Sequence, residues 1–200
     1  MHTQSFAEVI ESSLTGWLAQ SWQWNYFPQF GSLVTIKTEK RILFGIVHHV
    51  QTGTMDPARQ PFAYQKTEEE LLAEQPQIFE FLKTTFSCLI VGYLQDGTIT
   101  YQCAPEPPKI HAFVEHATPE LHRQFFNSHH YLHLLFGFSQ QISNLDELLL
   151  ALLKNMTTHT ILTKEKVEHF IETLSLLSGN DYRRLKLFLQ RIEPMIQKSL

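Results

Sequence analysis

The residues of this chain predict an α+β protein: an N-terminal small closed β-barrel of six or seven strands with a helical insertion, followed by a C-terminal helical bundle. Three observations carry that reading. Residues 1–117 contain short apolar runs rich in Val, Ile, Thr and aromatics, separated by turn residues. A helix-capping signature sits inside a long connection, residues 51–85, that interrupts those runs. From Thr118 onward the apolar residues recur at helical spacing, which sets residues 118–200 apart as the bundle. At 200 residues, 43% apolar and 18% charged, the chain can bury a core, and wholesale disorder is excluded.

The strands are expected at Phe6–Ser12, Gly16–Gln23, Leu33–Lys37 and Ile42–Val50, the last two joined by a turn over Thr38–Arg41. Phe86–Leu94 and Thr98–Cys103 flank Gln95-Asp96-Gly97, and Asp-Gly between apolar runs is a strong hairpin signal because both residues tolerate positive φ. Ile110–Val114 completes the set after the Pro105–Pro108 stretch. Closure would hide the strand edges. If Gln95 pairs with Thr98, Cys103 lies opposite Ile90 with Cys88 on the diagonal, about 7–8 Å away and beyond disulfide reach. Both cysteines are therefore expected as small buried apolar side chains.

The connection 51–85 opens with Gly53 and Asp56-Pro57. Thr67-Glu68-Glu69-Glu70 ahead of Leu71-Leu72 then forms a capping box, starting a helix that Pro76 ends; Pro76–Leu82 supplies another short turn. In the second part, Thr118-Pro119 starts a helix to about Phe126, and His129–Phe136 is the next, ended near Gly137. Asn144 caps a third with the stripe Leu145, Leu148, Leu149, Leu152 and Leu153. Thr163 caps a fourth, closed by Gly179, and Asp181–Ser199 is the last, with Leu185, Phe188, Leu189, Ile192 and Ile196 inward.

Composition excludes several function classes. Net charge is −4, divided as −5 before residue 118 and +1 after it, so no basic face marks a dedicated nucleic-acid binder. Two cysteines match no zinc motif and no disulfide framework. No apolar run approaches the roughly 20 residues of a membrane span, and MHTQSFAEVIESS has neither the basic nor the apolar region of a signal peptide. A cytoplasmic location is the expectation. There is no G-x-x-x-x-G-K-[ST] phosphate loop and no G-x-S-x-G nucleophile elbow.

The segments Phe6-Ala-Glu-Val-Ile-Glu-Ser-Ser-Leu-Thr-Gly-Trp-Leu-Ala-Gln-Ser, Pro28–Gly31 with Ser-Leu-Val-Thr-Ile, and Ile42-Leu-Phe-Gly-Ile-Val-His-His-Val carry a family resemblance. With Cys88-Leu-Ile-Val-Gly-Tyr, Asp96-Gly97 and Ile110-His111-Ala112, residues from about 5 to 115 resemble the HAS barrel. That domain is shared by HerA-type DNA translocases and the rotary ATP synthase subunits. The resemblance implies a ring-forming or docking module without chemistry of its own, beside an ATPase core that this chain lacks. Gly31, Gly45 and Gly92 would mark bends or close backbone approach in such a barrel. The helical part has no counterpart in that family.

Among 11 histidines, His129, His130 and His133 fall within five residues, and His129 and His133 would share a helix face at metal-ligand spacing. His111, Glu115, His116 and His122 lie upstream, so a metal-dependent hydrolase using residues 111–133 is one alternative, with His111, His129 and His133 the candidate ligands. Capping or surface histidines account for the same pattern without a metal, and no cofactor is expected. His48 and His49 point to opposite faces of a strand and cannot serve one site. Arg183, Arg184, Lys186 and Arg191 would give at most a modest phosphate contact, the basis of a second alternative, a DNA-binding accessory of a translocase or nuclease system.

The aromatic residues Trp17, Trp22, Trp24, Tyr26, Phe27 and Phe30 form the other cluster. Strand alternation places Trp22 and Trp24 on one face, with Tyr26 continuing it. They either fill the barrel mouth or stand exposed as interface anchors. The expectation is a non-catalytic adaptor that docks onto a protein partner, an ATPase ring or translocase, or that forms a homo-oligomer. Its contact residues would be Trp22, Trp24, Tyr26, Phe27 and Phe30, together with Leu71, Leu72 and Phe79 of the excursion.

Overall fold

A computed structural model describes residues 5–56, 62–179 and 181–199, with side chains to Pro194. Pro57 and the inward placement expected for Ile196 lie outside the described residues. The strands are β1 (Ser5–Ser12), β2 (Gly16–Ser21), β3 (Leu33–Lys37), β4 (Ile42–Thr54), β5 (Leu82–Gln95), β6 (Thr98–Thr100) and β7 (Phe113–His116). Helices α1 (Glu68–Glu74) and α2 (Gln77–Glu80) lie between β4 and β5. Helices α3 (Pro119–Phe125), α4 (Tyr131–Gly137), α5 (Leu145–Thr158), α6 (Lys164–Leu177) and α7 (Tyr182–Ser199) follow the last strand.

The strands run in the order β2-β1-β7-β3-β4-β5, and β2 pairs back onto β5, so six antiparallel strands close into a barrel. The pairing of β2 with β5 covers Gly16 to Gln20 against Leu89 to Thr85. Further along, β5 leaves that ladder and pairs as a hairpin with β6 through Gln95↔Thr98, as the Asp-Gly turn implies. The α+β class, the closed barrel and the following helices all agree with the expectation.

Several boundaries differ, each for a visible reason. β6 stops at Thr100, because β5 bulges between its pairs at Gly92 and Ile90 and the register of the hairpin is not continued. Cys103 is therefore exposed rather than opposite Ile90, whose amide bonds the Thr15 carbonyl at 2.9 Å. Cys88 is buried as expected, and burial pushes its thiol pKa up. The last strand begins at Phe113 and not Ile110, since a turn bonding the Ala112 amide to the Lys109 carbonyl holds Ile110 out of the ladder. β4 and β5 extend past the expected Val50 and Phe86 as a two-stranded arm reaching Thr54↔Leu82. Within it, the Thr52 and Thr84 hydroxyls share a 2.7 Å hydrogen bond.

The helix starts follow their caps. Thr67 accepts from the Glu70 amide while the Glu70 carboxylate accepts from the Thr67 amide. Thr118, Asn144 and Thr163 cap α3, α5 and α6 through the first of these bonds alone, each side chain accepting the amide three residues on. α4 begins at Tyr131, two residues later than expected, because the carbonyls of His129 and His130 already accept its first amides in a turn.

Two apolar cores result. One fills the barrel with Phe6, Val9, Trp17, Val34, Ile36, Leu43, Val47, Phe86, Cys88 and Ile90 among others. The second joins the outer wall of β3, β4 and β5 (Leu33, Phe44, Ile46, Leu89, Val91) to the inner faces of the helices. Phe44 meets Phe125 with ring centroids 4.9 Å apart, and the Tyr101 hydroxyl donates to the Phe125 carbonyl at 2.6 Å. Gly31, at φ +77°, places its backbone against α5, where a Cβ would come within 2.6 Å of the Ala151 Cβ. On the far side, Arg184 forks onto Asp146 at 2.6 and 3.0 Å and Arg191 meets Glu147 at 2.7 Å, tying α7 to the first turn of α5. Among the described residues, no helix is long and apolar enough to cross a membrane.

Inside the barrel, the missing side chain of Gly45 is what admits Trp17: a Cβ there would overlap the indole ring. Replacing Gly45 by Ala forces the ring aside, and overpacking of this kind costs roughly 1–3 kcal/mol. Urea denaturation followed by tryptophan fluorescence should show a lowered midpoint for Gly45→Ala with an altered native emission. An unchanged midpoint would mean that the ring is not held there.

Candidate docking surface

One end of the barrel is crossed by residues 22–31, which lead from the end of β2 to the start of β3. β2 ends at Ser21, so Trp22 and Trp24 do not alternate on a strand and do not share a face as expected. The Trp22 amide still bonds the Phe6 carbonyl at 2.9 Å, after which the chain turns, the Tyr26 amide reaching the Gln23 carbonyl at 3.1 Å. The segment ends where the Gly31 amide meets the Val47 carbonyl at 2.8 Å. Crossing the opening requires this departure from the sheet.

Each aromatic side chain then finds a different neighbour. The Trp22 indole N–H donates to Glu8 Oε1 at 3.1 Å, and its ring stands edge-on to Phe113 at 5.5 Å. Trp24 leans the other way and stacks on Phe79 of α2 at 5.5 Å, while its carbonyl accepts from the Thr84 hydroxyl. Tyr26 packs edge-on against Phe6 at 5.8 Å and His116 at 6.1 Å. Phe6 in turn stacks on His116 at 4.3 Å and on Phe86 of the barrel interior at 5.7 Å. Tyr26 is thus the outermost ring of an aromatic stack that plugs the barrel end.

Much of this apolar surface faces solvent. Trp22 is 48% exposed, Tyr26 52%, Phe27 41% and Phe30 38%, with buried Pro28 between the last three as an anchor. Tyr26 separates two hollows: one of about 270 Å³ bounded by Phe6, Trp22 and Gln23, and one of about 450 Å³ bounded by Phe6, His116 and Pro119.

The excursion adjoins this end through the Trp24–Phe79 stack. Leu72 is exposed and Leu71 half-buried, and neither α1 nor α2 buries any residue. Lys66 pairs with Glu74 across α1. Met55, Phe62, Tyr64 and Phe81 are also exposed here. They carry neither strand nor helix periodicity, so only their apolar character within a polar connection could have marked them. Leu176, Tyr182 and Leu187 are a separate exposed apolar group on α6 and α7, at positions between the core residues of those helices.

The histidines are dispersed. His111 lies on the loop before β7 at φ +65°, its Nδ1 3.2 Å from Glu8 Oε2. His129 precedes α4 rather than joining its first turn, so it does not share a helix face with His133; its ring lies 6.2 Å from His169 and 6.3 Å from Phe170. His133 is exposed, 6.4 Å from His130. Among the described residues, no group of three or more His, Cys, Asp or Glu side chains could hold a metal ion. Arg184 and Arg191, half of the basic set on α7, are taken up by Asp146 and Glu147.

No protein-family model matches this chain, and no curated protein matches it.

Burial lowers the pKa of His122, whose Nδ1 sits 3.2 Å from the Thr118 carbonyl and whose ring lies 4.2 Å from His159. It also lowers those of His48, His116 and His129. In the unfolded chain these rings take up protons near pH 6.5, earlier than in the fold, so their contribution to stability is whole above that value. It is lost as pH falls through the lowered folded values. The urea midpoint should therefore drop between about pH 7 and pH 5, and His122→Leu should shrink the drop. A midpoint independent of pH over that range would contradict the burial of these rings.

Proposed function

We propose that this protein is a non-catalytic docking module that grips a protein partner through the aromatic end of its barrel and the adjoining excursion. The observation that carries the reading is the exposure of Trp22, Tyr26, Phe27 and Phe30 at one end of the barrel, with Tyr26 seated on a stack rooted in the barrel interior. Trp and Tyr dominate interface hot spots because they bring large area with few rotatable bonds. Exposed aromatic surface of this kind marks interaction sites rather than ordinary solvated surface.

The excursion supports the same conclusion. A seven-residue helix is too short to be stable alone, and no residue of α1 is fully buried among the described residues. A partner surface laid on Leu71, Leu72 and Phe79 would supply that burial. Gln51 to Thr54 of the arm pair with β5 alone among the described residues, which leaves one backbone edge open for main-chain hydrogen bonds. The resemblance of residues about 5–115 to the HAS barrel points to an ATPase ring or translocase as the partner class, with self-association as the other mode of assembly. The docking reading is preferred to the DNA-binding alternative because Arg184 and Arg191, two of its four basic residues, are engaged by Asp146 and Glu147.

The test compares the wild-type chain with a Tyr26→Ser/Leu72→Ser double variant, by light scattering and by crosslinking capture against candidate ATPase rings. Both replaced side chains are about half exposed, so the melting temperature should hold. Loss of hot-spot contacts should weaken the complex by about tenfold or more. A chain that is monomeric and captures no ring, or a variant that binds as well as the wild type, would overturn the proposal.

A further inference from the structure

The opposite end of the barrel has a different chemistry. There the β3–β4 turn and the loop before β7 enclose a hollow of about 400 Å³, within the range that small-molecule sites occupy. Its lining includes Lys37, Lys40, Arg41 and Lys109, with Leu43, Pro107, Ile110 and Ala112 supplying an apolar wall. Residues 1–117 contain only seven Lys and Arg and carry a net charge of −5, yet four of those seven cations line this one hollow. The acidic groups on the lining are Glu39 and Glu106, and His111 stands at its rim, turned to Glu8.

The cations differ in how they are already engaged. Lys37 reaches Glu115 at 2.7 Å, a pair that also joins β3 to β7. Lys109 lies 3.3 Å from Glu39, but both are 85% exposed, so the pair adds little and is readily exchanged. Lys40 has no ion pair among the described residues. Arg41 is held over the Tyr93 ring, 5.4 Å from its centroid, and its Nη1 is buried without a hydrogen-bond acceptor among the described residues. A guanidinium nitrogen out of water and short of an acceptor leaves donor capacity unused.

The frame is fixed. The Thr38 hydroxyl donates to the Arg41 carbonyl at 2.9 Å and accepts the Arg41 amide at 3.1 Å, locking the turn that presents Lys40 and Arg41. A planar guanidinium fork beside two exposed ammonium groups suits phosphate oxygens, which accept from several directions at once.

We propose that this hollow binds a small phosphate-bearing molecule, its phosphate held by Arg41, Lys40 and Lys109 and its less polar body laid against Pro107 and Ile110. The phosphate-binding cations are not among the residues of the docking surface; the two sites meet at Glu8, whose carboxylate accepts from Trp22 and faces His111 at the rim of the hollow.

Isothermal titration of the full chain at low ionic strength, with inorganic pyrophosphate and with adenosine diphosphate as probes, tests this. One saturable site is expected, weakened by added salt and tighter for the nucleotide, which alone can use the apolar wall. Arg41→Ala should lose about tenfold or more in affinity, the usual worth of a charged hydrogen bond. Because Arg41 also packs on Tyr93, the exposed pair Lys40→Ala/Lys109→Ala provides a second variant that leaves the turn intact and should weaken binding likewise. Lys83→Ala, a cation outside the hollow, should bind as the wild type does. Absence of saturable binding at millimolar probe, or equal affinity in all three variants, overturns the site.

Discussion

The ladder between β4 and β5 is the constraint on which the rest depends. Both strands are buried on both faces: Leu43, Val47, Cys88 and Ile90 point into the barrel, while Phe44, Ile46, Leu89 and Val91 point into the helices. A strand buried on both sides cannot slip by one residue without exchanging its two apolar sets. The register that closes the barrel therefore also positions the floor on which α3, α4 and α5 pack. Gly45 and Gly31 belong to the same constraint, one opening room for Trp17 inside the wall and the other letting the chain lie against α5 outside it.

The helices occupy the wall of β3, β4 and β5, so that face of the barrel is closed to other molecules while its two ends and the projecting arm stay open. The ends are closed by different means. At one, a ten-residue crossing stacks aromatic rings over the opening; at the other, a short turn and a loop leave a hollow rimmed with cations. The same closure that buries the interior thus sets an aromatic surface and a basic one on different ends, with Glu8 between them on the outer wall, meeting Trp22 on one side and His111 on the other.

How much of this was legible follows from where the information is local. Caps and tight turns are written in a few adjacent residues, so Thr67–Glu70, Thr118-Pro119, Asn144, Thr163 and Asp96-Gly97 could be read directly. The barrel class could be read from strand number and length. Strand ends could not. Trp22 and Trp24 have the β-propensity of strand residues, but that preference describes a half-buried surface and is met equally well by rings lying across a barrel mouth. Cys103 was misplaced because extrapolating a hairpin register assumes a regular ladder, and the bulge in β5 at Val91 breaks it. The metal spacing of His129 and His133 assumed one continuous helix, whereas Tyr131, buried among Phe125, Phe126 and Leu132, fixes where α4 starts.

The basic hollow was illegible for a related reason. Lys37, Lys40 and Arg41 are neighbours in sequence, but Lys109, Pro107, Ile110 and Ala112 come from a loop some 70 residues away, which the pairing of β7 with β3 brings to them. Read along the chain, each of these cations is an ordinary solvated charge in an acidic stretch. Read around the barrel, they are most of the positive charge that this part of the chain possesses, gathered where Arg41 Nη1 meets no acceptor among the described residues. Had the cations served only solubility, a scattered arrangement would have done so with less mutual repulsion. Their concentration at one end, opposed to Glu68, Glu69 and Glu70 on the excursion beside the other, is a polarity that the fold itself imposes on a chain whose overall charge is close to neutral.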